Sequence, residues 1–390
     1  MTASALPIID TIDDERVTAI REAVAEITKT YDTRYFADCV RDRKYPNEVL
    51  QALSDSGLLG LSVPEKFGGG GGRTIEEVAL MEALATAGIS PFFIAVSTFA
   101  RMPVIEHGRG QEAERFITAS MAADRRPCFA LTEPDAGTNS FAMSTRAVKV
   151  DGGWTINGQK TYITGADRSD QMLLIARTDS DSSSRAQLAL FILDTTAPGI
   201  TLQNMDIPAA SPSSQSMVFL DDVHAPDSAA VGDPAAGARY LFSALNAERL
   251  VVAAMSLGLG DCALRVGVEY AKVRAPFGKA IGSYQSVAHP LARAKVQIEA
   301  ARVMLYQAAQ AFEAGKDAGP LANIAKLMAC DGGYAAVDAA IQCHGGAGFD
   351  STCEIYWMQS FLRLLRVAPI NTDMILNYVS KRMLGLPKSY

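Results

Sequence analysis

Hydrophobic and polar positions change period twice along the chain. Through residues 14–127 apolar residues recur at helical spacing. Asp13-Asp14-Glu15 precedes an amphipathic run from Val17 to Ile27, with acids where a helix N-terminus favours negative charge. Pro46-Asn47-Glu48-Val49-Leu50-Gln51-Ala52-Leu53 opens a second helix ending near Gly57, and a third covers Ile75 to Ala87. Val63 to Gly69 reads as a loop. From about 128 to 235 the period shortens. Ala147 to Val150, Trp154 to Ile156, Gln171 to Arg177, Gln187 to Leu193 and Ser216 to Leu220 are strand-like, with Asp151-Gly152-Gly153 and Asn157-Gly158 as hairpin turns. Strand–helix alternation is absent, so the segment predicts a small antiparallel β-domain and not a Rossmann unit. Beyond 236 helical spacing returns over Ala238 to Val273, Tyr284 to Ala314, Leu321 to Cys343 and Asn371 to Met383, and these lengths with short connections predict an antiparallel bundle. The expected class is α+β, mainly α: an N-terminal helical domain (1–127), a middle antiparallel β-domain (128–235) and a C-terminal four-helix bundle (236–390).

Composition narrows the function classes. At 48% hydrophobic and 20% charged residues, the 390-residue chain reads as an ordinary globular protein. Its net charge of −7 argues against nucleic acid as a partner. No apolar run is read as a bilayer span, so no membrane is expected. Met1-Thr2-Ala3-Ser4-Ala5-Leu6 lacks the basic-then-apolar order of a secretory signal, which makes a cytoplasmic location the expectation. The six cysteines form no Cys-x-x-Cys pair and the four histidines lie far apart, so free thiols and no metal are expected. Gly68 to Gly72 lacks the Lys-Ser/Thr of a phosphate loop and reads as a flexible surface turn.

Two short segments carry the candidate chemistry. Ala130-Leu131-Thr132-Glu133-Pro134-Asp135-Ala136-Gly137-Thr138-Asn139-Ser140 follows an apolar approach, and its small residues and hydroxyls can bring donors close to an anion. Further on comes Lys160-Thr161-Tyr162-Ile163-Thr164-Gly165-Ala166. The pair resembles the flavin-binding signature of the acyl-CoA dehydrogenase family. Arg274-Ala275-Pro276-Phe277-Gly278 followed by Tyr284-Gln285, then Gln342-Cys343-His344-Gly345-Gly346-Ala347-Gly348-Phe349, extend the resemblance over nearly the whole chain. The resemblance implies FAD lined by Phe129, Leu131, Thr132, Gly137, Thr138, Tyr162, Ile163 and Thr164, with Asn371 also at the cofactor. It implies that Arg274, Phe277, Gln285, Gln342, Gly345 and Gly346 reach the FAD of a neighbouring subunit. It further implies a homotetramer built as a dimer of dimers, an acyl-CoA substrate near Thr138 and Arg249, and electron-transferring flavoprotein as acceptor. Asn139 stands where the signature usually has Asp but keeps a cap-forming side chain. Tyr162 stands for the usual Trp and keeps an aromatic wall of smaller area.

The reaction of that family is α,β-dehydrogenation of an acyl thioester, in which a carboxylate takes the α-proton while hydride passes to flavin N5. Here the sequence departs from the pattern. The usual Tyr-Glu-Gly-Thr base motif falls at Ala368-Pro369-Ile370-Asn371, where there is no glutamate, and proline has no N–H to serve as oxyanion donor. Leu245-Asn246-Ala247-Glu248-Arg249-Leu250 resembles the isovaleryl-CoA and long-chain types, which carry the base on a bundle helix. Glu248 is therefore the expected base; the alternative is a solvated Glu on a polar helix face. Three other activities stay open: a flavin-dependent enoyl-CoA reductase, an oxidase acting on acyl-carrier protein, and a catalytically impaired partner subunit.

Overall fold

The computed structural model describes residue 6 and residues 12–178, 187–207 and 212–388. Within these residues six helices come first: α1 (Glu15–Ile27), α2 (Thr33–Arg41), α3 (Asn47–Asp55), α4 (Thr74–Thr86), α5 (Phe92–His107) and α6 (Gly110–Ala119). The acids ahead of α1 act as expected, with the Asp14 carboxylate accepting from the N–H groups of Arg16 and Val17. Among the described residues seven strands follow: β1 (Cys128–Ala130), β2 (Arg146–Val150), β3 (Gly153–Thr164), β4 (Gln171–Thr178), β5 (Gln187–Asp194), β6 (Ile200–Met205) and β7 (Gln215–Pro226). The chain closes with α7 (Gly237–Val273), α8 (Gln285–Glu313), α9 (Gly319–His344), α10 (Tyr356–Leu365) and α11 (Thr372–Tyr378). The Asn371 to Met383 run is thus one short α-helix that continues into a wider turn at Val379–Met383.

The middle sheet is mixed and not purely antiparallel. β1 and β2 each run parallel to β4, while β2–β3, β3–β7, β6–β7 and β4–β5 are antiparallel. A hairpin reading misses this because the chain between β1 and β4 is long enough to cross over. Nor is Asn157-Gly158 a turn. It lies inside β3 at a shift of register against β7, and the Asn157 side chain bonds both the N–H and the carboxylate of Asp222.

β4 explains its own apolar run. Met172, Leu174 and Ala176 face the core of the β-domain, whereas Leu173 and Ile175 face a second cluster formed with α5 and α6 (Ala100, Val104, Phe116, Ile117). A strand covered on both faces loses its alternation. That second cluster also holds Ala136, with Phe129 and Leu131 packed against it, so the first flavin-type segment rests on the junction of two domains.

The helices share one continuous core running from α1, α3, α4 and α5 into α7, α8, α9 and α10. By length and composition α7 could cross a membrane, contrary to the reading that no run is apolar enough, but 83% of its most apolar window is buried in this core. The glycine run is packed, not a flexible turn. The N–H groups of Gly70, Gly71 and Gly72 donate to the carbonyls of Gly60, Val63 and Leu61, and a Cβ on Gly69 would lie 2.2 Å from the Val63 carbonyl oxygen.

Candidate active site

The two flavin-type segments are stapled to each other. The Thr161 N–H donates to the Thr132 carbonyl at 2.9 Å, and the Thr132 hydroxyl donates to the Thr161 carbonyl at 2.6 Å. Beneath the staple lies a buried ion pair that the sequence reading did not single out. The Lys160 ammonium donates to Glu133 at 2.8 Å and to the Leu131 carbonyl at 3.0 Å. Glu133 also accepts from the Ser144 hydroxyl at 2.8 Å and the Thr145 N–H at 3.0 Å. Burial works to raise the Glu133 carboxyl, but the Lys160 charge and these donors outweigh it and hold it at about 2. Burial lowers Lys160 to about 8 against the pull of Glu133, so both groups are charged at neutral pH. Lys160→Met would strand the carboxylate. We expect a loss of about 3 kcal/mol, the low end for a broken buried pair because Ser144 and Thr145 still donate, together with reduced FAD content, both read by thermal melts and flavin absorbance.

Two hydroxyls are poised as outward donors. Thr138 Oγ1 accepts from Asn371 Nδ2 at 3.0 Å, and the Asn371 amide orientation is set because its oxygen caps α11 by accepting from the Met374 N–H. Thr164 Oγ1 accepts from Gln215 Nε2 at 2.8 Å. Each hydroxyl therefore keeps its proton for an acceptor outside the protein. Tyr162 sits at a bulge between Lys160 and Ile163 with φ 58°, a left-handed backbone that is strained for an aromatic residue, and its side chain is 61% exposed. An exposed aromatic wall, outward hydroxyls and the open space around Gly137 fit the acceptor-rich, planar flavin that the resemblance implies. Ile163 is buried in the sheet core, so only its backbone can face such a group. Asn139 makes no side-chain capping bond, unlike the role expected of it.

A cavity of about 860 Å³ opens beside Gln215, between the β6–β7 edge, α2, the start of α5 and α10. Arg274 and Phe277 lie exposed in the α7–α8 connection, and Gln285 lies exposed as the first residue of α8. Gln342, Gly345 and Gly346 lie exposed at the end of α9. The two groups are neighbours, since Tyr270 stacks on His344 at 4.2 Å between ring centroids and the Cys343 thiol reaches the Gly267 carbonyl at 3.4 Å. Among the described residues, no hydrogen bond joins this patch to the flavin-type segments of the same chain.

Glu248 is 5% exposed, which excludes the solvated-face alternative. Among the described residues its carboxylate takes part in no ion pair. Burial raises its carboxyl to about 7, opposed by the positive charges of Arg249 and Lys326. Arg249 Nη1 donates to Asn246 at 2.8 Å, while its buried Nε has no partner. The Glu248 carboxyl can therefore both hold and release a proton near neutral pH. A carboxyl raised in the fold favours folding below its unfolded value of 4.5, and that contribution is lost as pH rises through about 7. Glu248→Gln should therefore melt higher than wild type above pH 7, by the equivalent of about 2–3 kcal/mol, and the gap should close near pH 4, as paired melts at several pH values would register.

Family models for the acyl-CoA dehydrogenase N-terminal, middle and C-terminal domains match residues 14–124, 128–223 and 235–384. The acyl-CoA dehydrogenase FadE12 of Mycobacterium tuberculosis is 36% identical over 382 residues, covering 97% of this chain and 98% of its own. The caffeyl-CoA reductase–Etf complex subunit CarC of Acetobacterium woodii is 29% identical over 324 residues, covering 82% and 85%. The solved butyryl-CoA dehydrogenase of Megasphaera elsdenii superposes with a TM-score of 0.89 at 26% identity, covering 96% of this chain and 100% of that one. With three domain models matched in order and a relative of that identity over nearly the full length, the chain belongs to the acyl-CoA dehydrogenase family and is an oxidoreductase.

Proposed function

We propose that the chain is an FAD-dependent dehydrogenase of acyl-CoA thioesters that leaves the α,β-enoyl-CoA, with Glu248 as the base. The observation that carries this reading is Glu248 itself: a buried carboxyl, raised to about 7, in a family whose chemistry needs one. Bound FAD would supply the acceptor for the β-hydride. Thr132, Thr138, Tyr162, Thr164 and Asn371 would hold it, with Arg274, Phe277, Gln285, Gln342, Gly345 and Gly346 serving the FAD of a neighbouring subunit in a homotetramer. Glu248 takes the α-proton, and Arg249 and Lys326 stabilise its charged form beforehand. Pro369 has no N–H for the thioester oxygen. Electron-transferring flavoprotein as acceptor is supported by the name of the CarC relative. The six free cysteines fit the cytoplasm, where we place the protein.

The test is anaerobic mixing of the FAD-loaded protein with a panel of saturated acyl-CoAs of varied length and branching. At least one should bleach the flavin. The CarC relative motivates a second reading, an enoyl-CoA reductase. That reading would take over if no saturated thioester bleached the flavin while an enoyl-CoA reoxidised the chemically reduced protein.

A further inference from the structure

Lys326 on α9 is 1% exposed and has no carboxylate at ion-pair distance among the described residues. Its ammonium donates to two carbonyls beyond its own helix, Leu365 at 2.7 Å and Ile370 at 2.6 Å. The segment so held ends at Asn371, whose side chain bonds Thr138 of the first flavin-type segment.

α7 and α9 run parallel and nearly in contact. A Cβ on Gly260 would lie 2.9 Å from Gly333 Cα, and one on Gly267 would lie 2.8 Å from the Ala340 side chain. One turn earlier the Ser256 hydroxyl and the Cys330 thiol are 3.3 Å apart. Continuing this pairing toward the N-termini brings Lys326 level with the turn of α7 after Glu248. Side chains lean toward the helix N-terminus, so Lys326 leans toward the Glu248 level.

We propose that Lys326 is a positioning residue of the proton-abstracting site. Its ammonium fixes the Leu365–Asn371 segment, which ends at the Asn371–Thr138 bond, and sets a positive charge against the Glu248 carboxylate. The role rests on Glu248 being the base. Among the described residues, the charged and titratable groups that act on the pair are these. Glu248 faces Arg249 from its own helix and Lys326 from α9. Lys326 faces Cys330 and Asp331 from α9, and Arg249 and Glu248 from α7. Arg249 in turn faces Tyr378 of α11, and Asp331 pairs with Arg366 at 2.8 Å. Without Lys326, Arg249 would be the one positive charge left, among the described residues, to set against burial of the Glu248 carboxylate.

The test is the pH dependence of flavin bleaching by whichever saturated acyl-CoA is most effective with wild type. Lys326→Gln keeps a donor for the carbonyls but drops the charge. Its half-maximal pH should move up by on the order of one unit with FAD content unchanged. Lys326→Arg should keep the wild-type midpoint, and Lys326→Met should shift it while also lowering the melting temperature. A wild-type midpoint in Lys326→Gln would overturn the proposal, even with a slower rate, because support for the fold alone does not move a titration. Should Lys326→Met lose FAD, the Gln variant still decides. Undiminished bleaching by Glu248→Gln would instead remove the base assignment on which the proposal rests. An inactive Glu248→Gln beside an unshifted Lys326→Gln would remove the Lys326 role alone.

Discussion

Replacing Glu248 by Gln is expected to slow anaerobic flavin bleaching by about 10²–10⁴-fold while leaving FAD bound, since general-base catalysis by a positioned side chain is of that size. The glutamine keeps the shape of the side chain and its place on α7, so the loss isolates the proton-accepting function. Wild type carries its own signature of the same group. With the carboxyl at about 7, the bleaching rate should rise with pH through neutrality and level off above it, because only the ionised form takes a proton. The variant should lose this dependence. No other carboxylate stands ready to substitute at the usual place, where the sequence reads Ala368-Pro369-Ile370-Asn371. Stopped-flow absorbance with the two proteins side by side measures both effects.

Arg302→Met is expected to destabilise the protein by about 5 kcal/mol, or to prevent its accumulation, because it would leave several buried carboxylates without their cation. Arg302 is 1% exposed and joins helices from both ends of the chain. Its Nε donates to Glu82 of α4 at 2.6 Å, and its two terminal nitrogens pair with Asp261 of α7 and Glu299 of α8. Tyr306 donates to the other Glu82 oxygen at 2.6 Å and receives Arg21 of α1 at 3.2 Å. Lys295 pairs with Asp261 at 2.9 Å and Glu299 at 2.6 Å, so it offsets part of the acidic charge but does not reach Glu82. Lys295 is also partly exposed, and Lys295→Met should be the milder change. Chemical denaturation followed by circular dichroism and by flavin absorbance would separate the two variants. A shift equivalent to less than about 1 kcal/mol for Arg302→Met would mean that water replaces the guanidinium, which its burial argues against.

Local chemistry was legible in the sequence where neighbours along the chain decide it. The acids ahead of α1 were readable as marking a helix start, and the apolar stretch of β5 as a strand. The two flavin-type segments were readable as cofactor chemistry by resemblance. Contacts between distant segments were not legible. Nothing in a lone Lys160 or Glu133 says that the two meet in the dark beneath Thr132, because each is an ordinary surface residue type until the fold removes it from water. The same holds for Lys326, whose partners are carbonyls that carry no sequence label. Gly68 to Gly72 shows the reverse error. Its composition reads as looseness, but the glycines are there to let backbone approach backbone. The parallel pairing of β1 with β4 is likewise a property of the crossover and not of either strand's own pattern. For Glu248 the sequence left two readings, a base or a solvated face, and burial removes the second.

The most direct measurement of the central claim separates proton removal from hydride transfer. An acyl-CoA with sulfur in place of the β-carbon can lose its α-proton but has no β-hydride to give. Incubated with the FAD-loaded protein in heavy water, it reports the base alone through α-deuterium uptake, followed by NMR. Wild type should exchange the α-hydrogens at a rate that rises with pH through about 7, and Glu248→Gln should exchange no faster than the thioester free in solution. Equal exchange by the two proteins would contradict the assignment of Glu248 as the group that takes the proton.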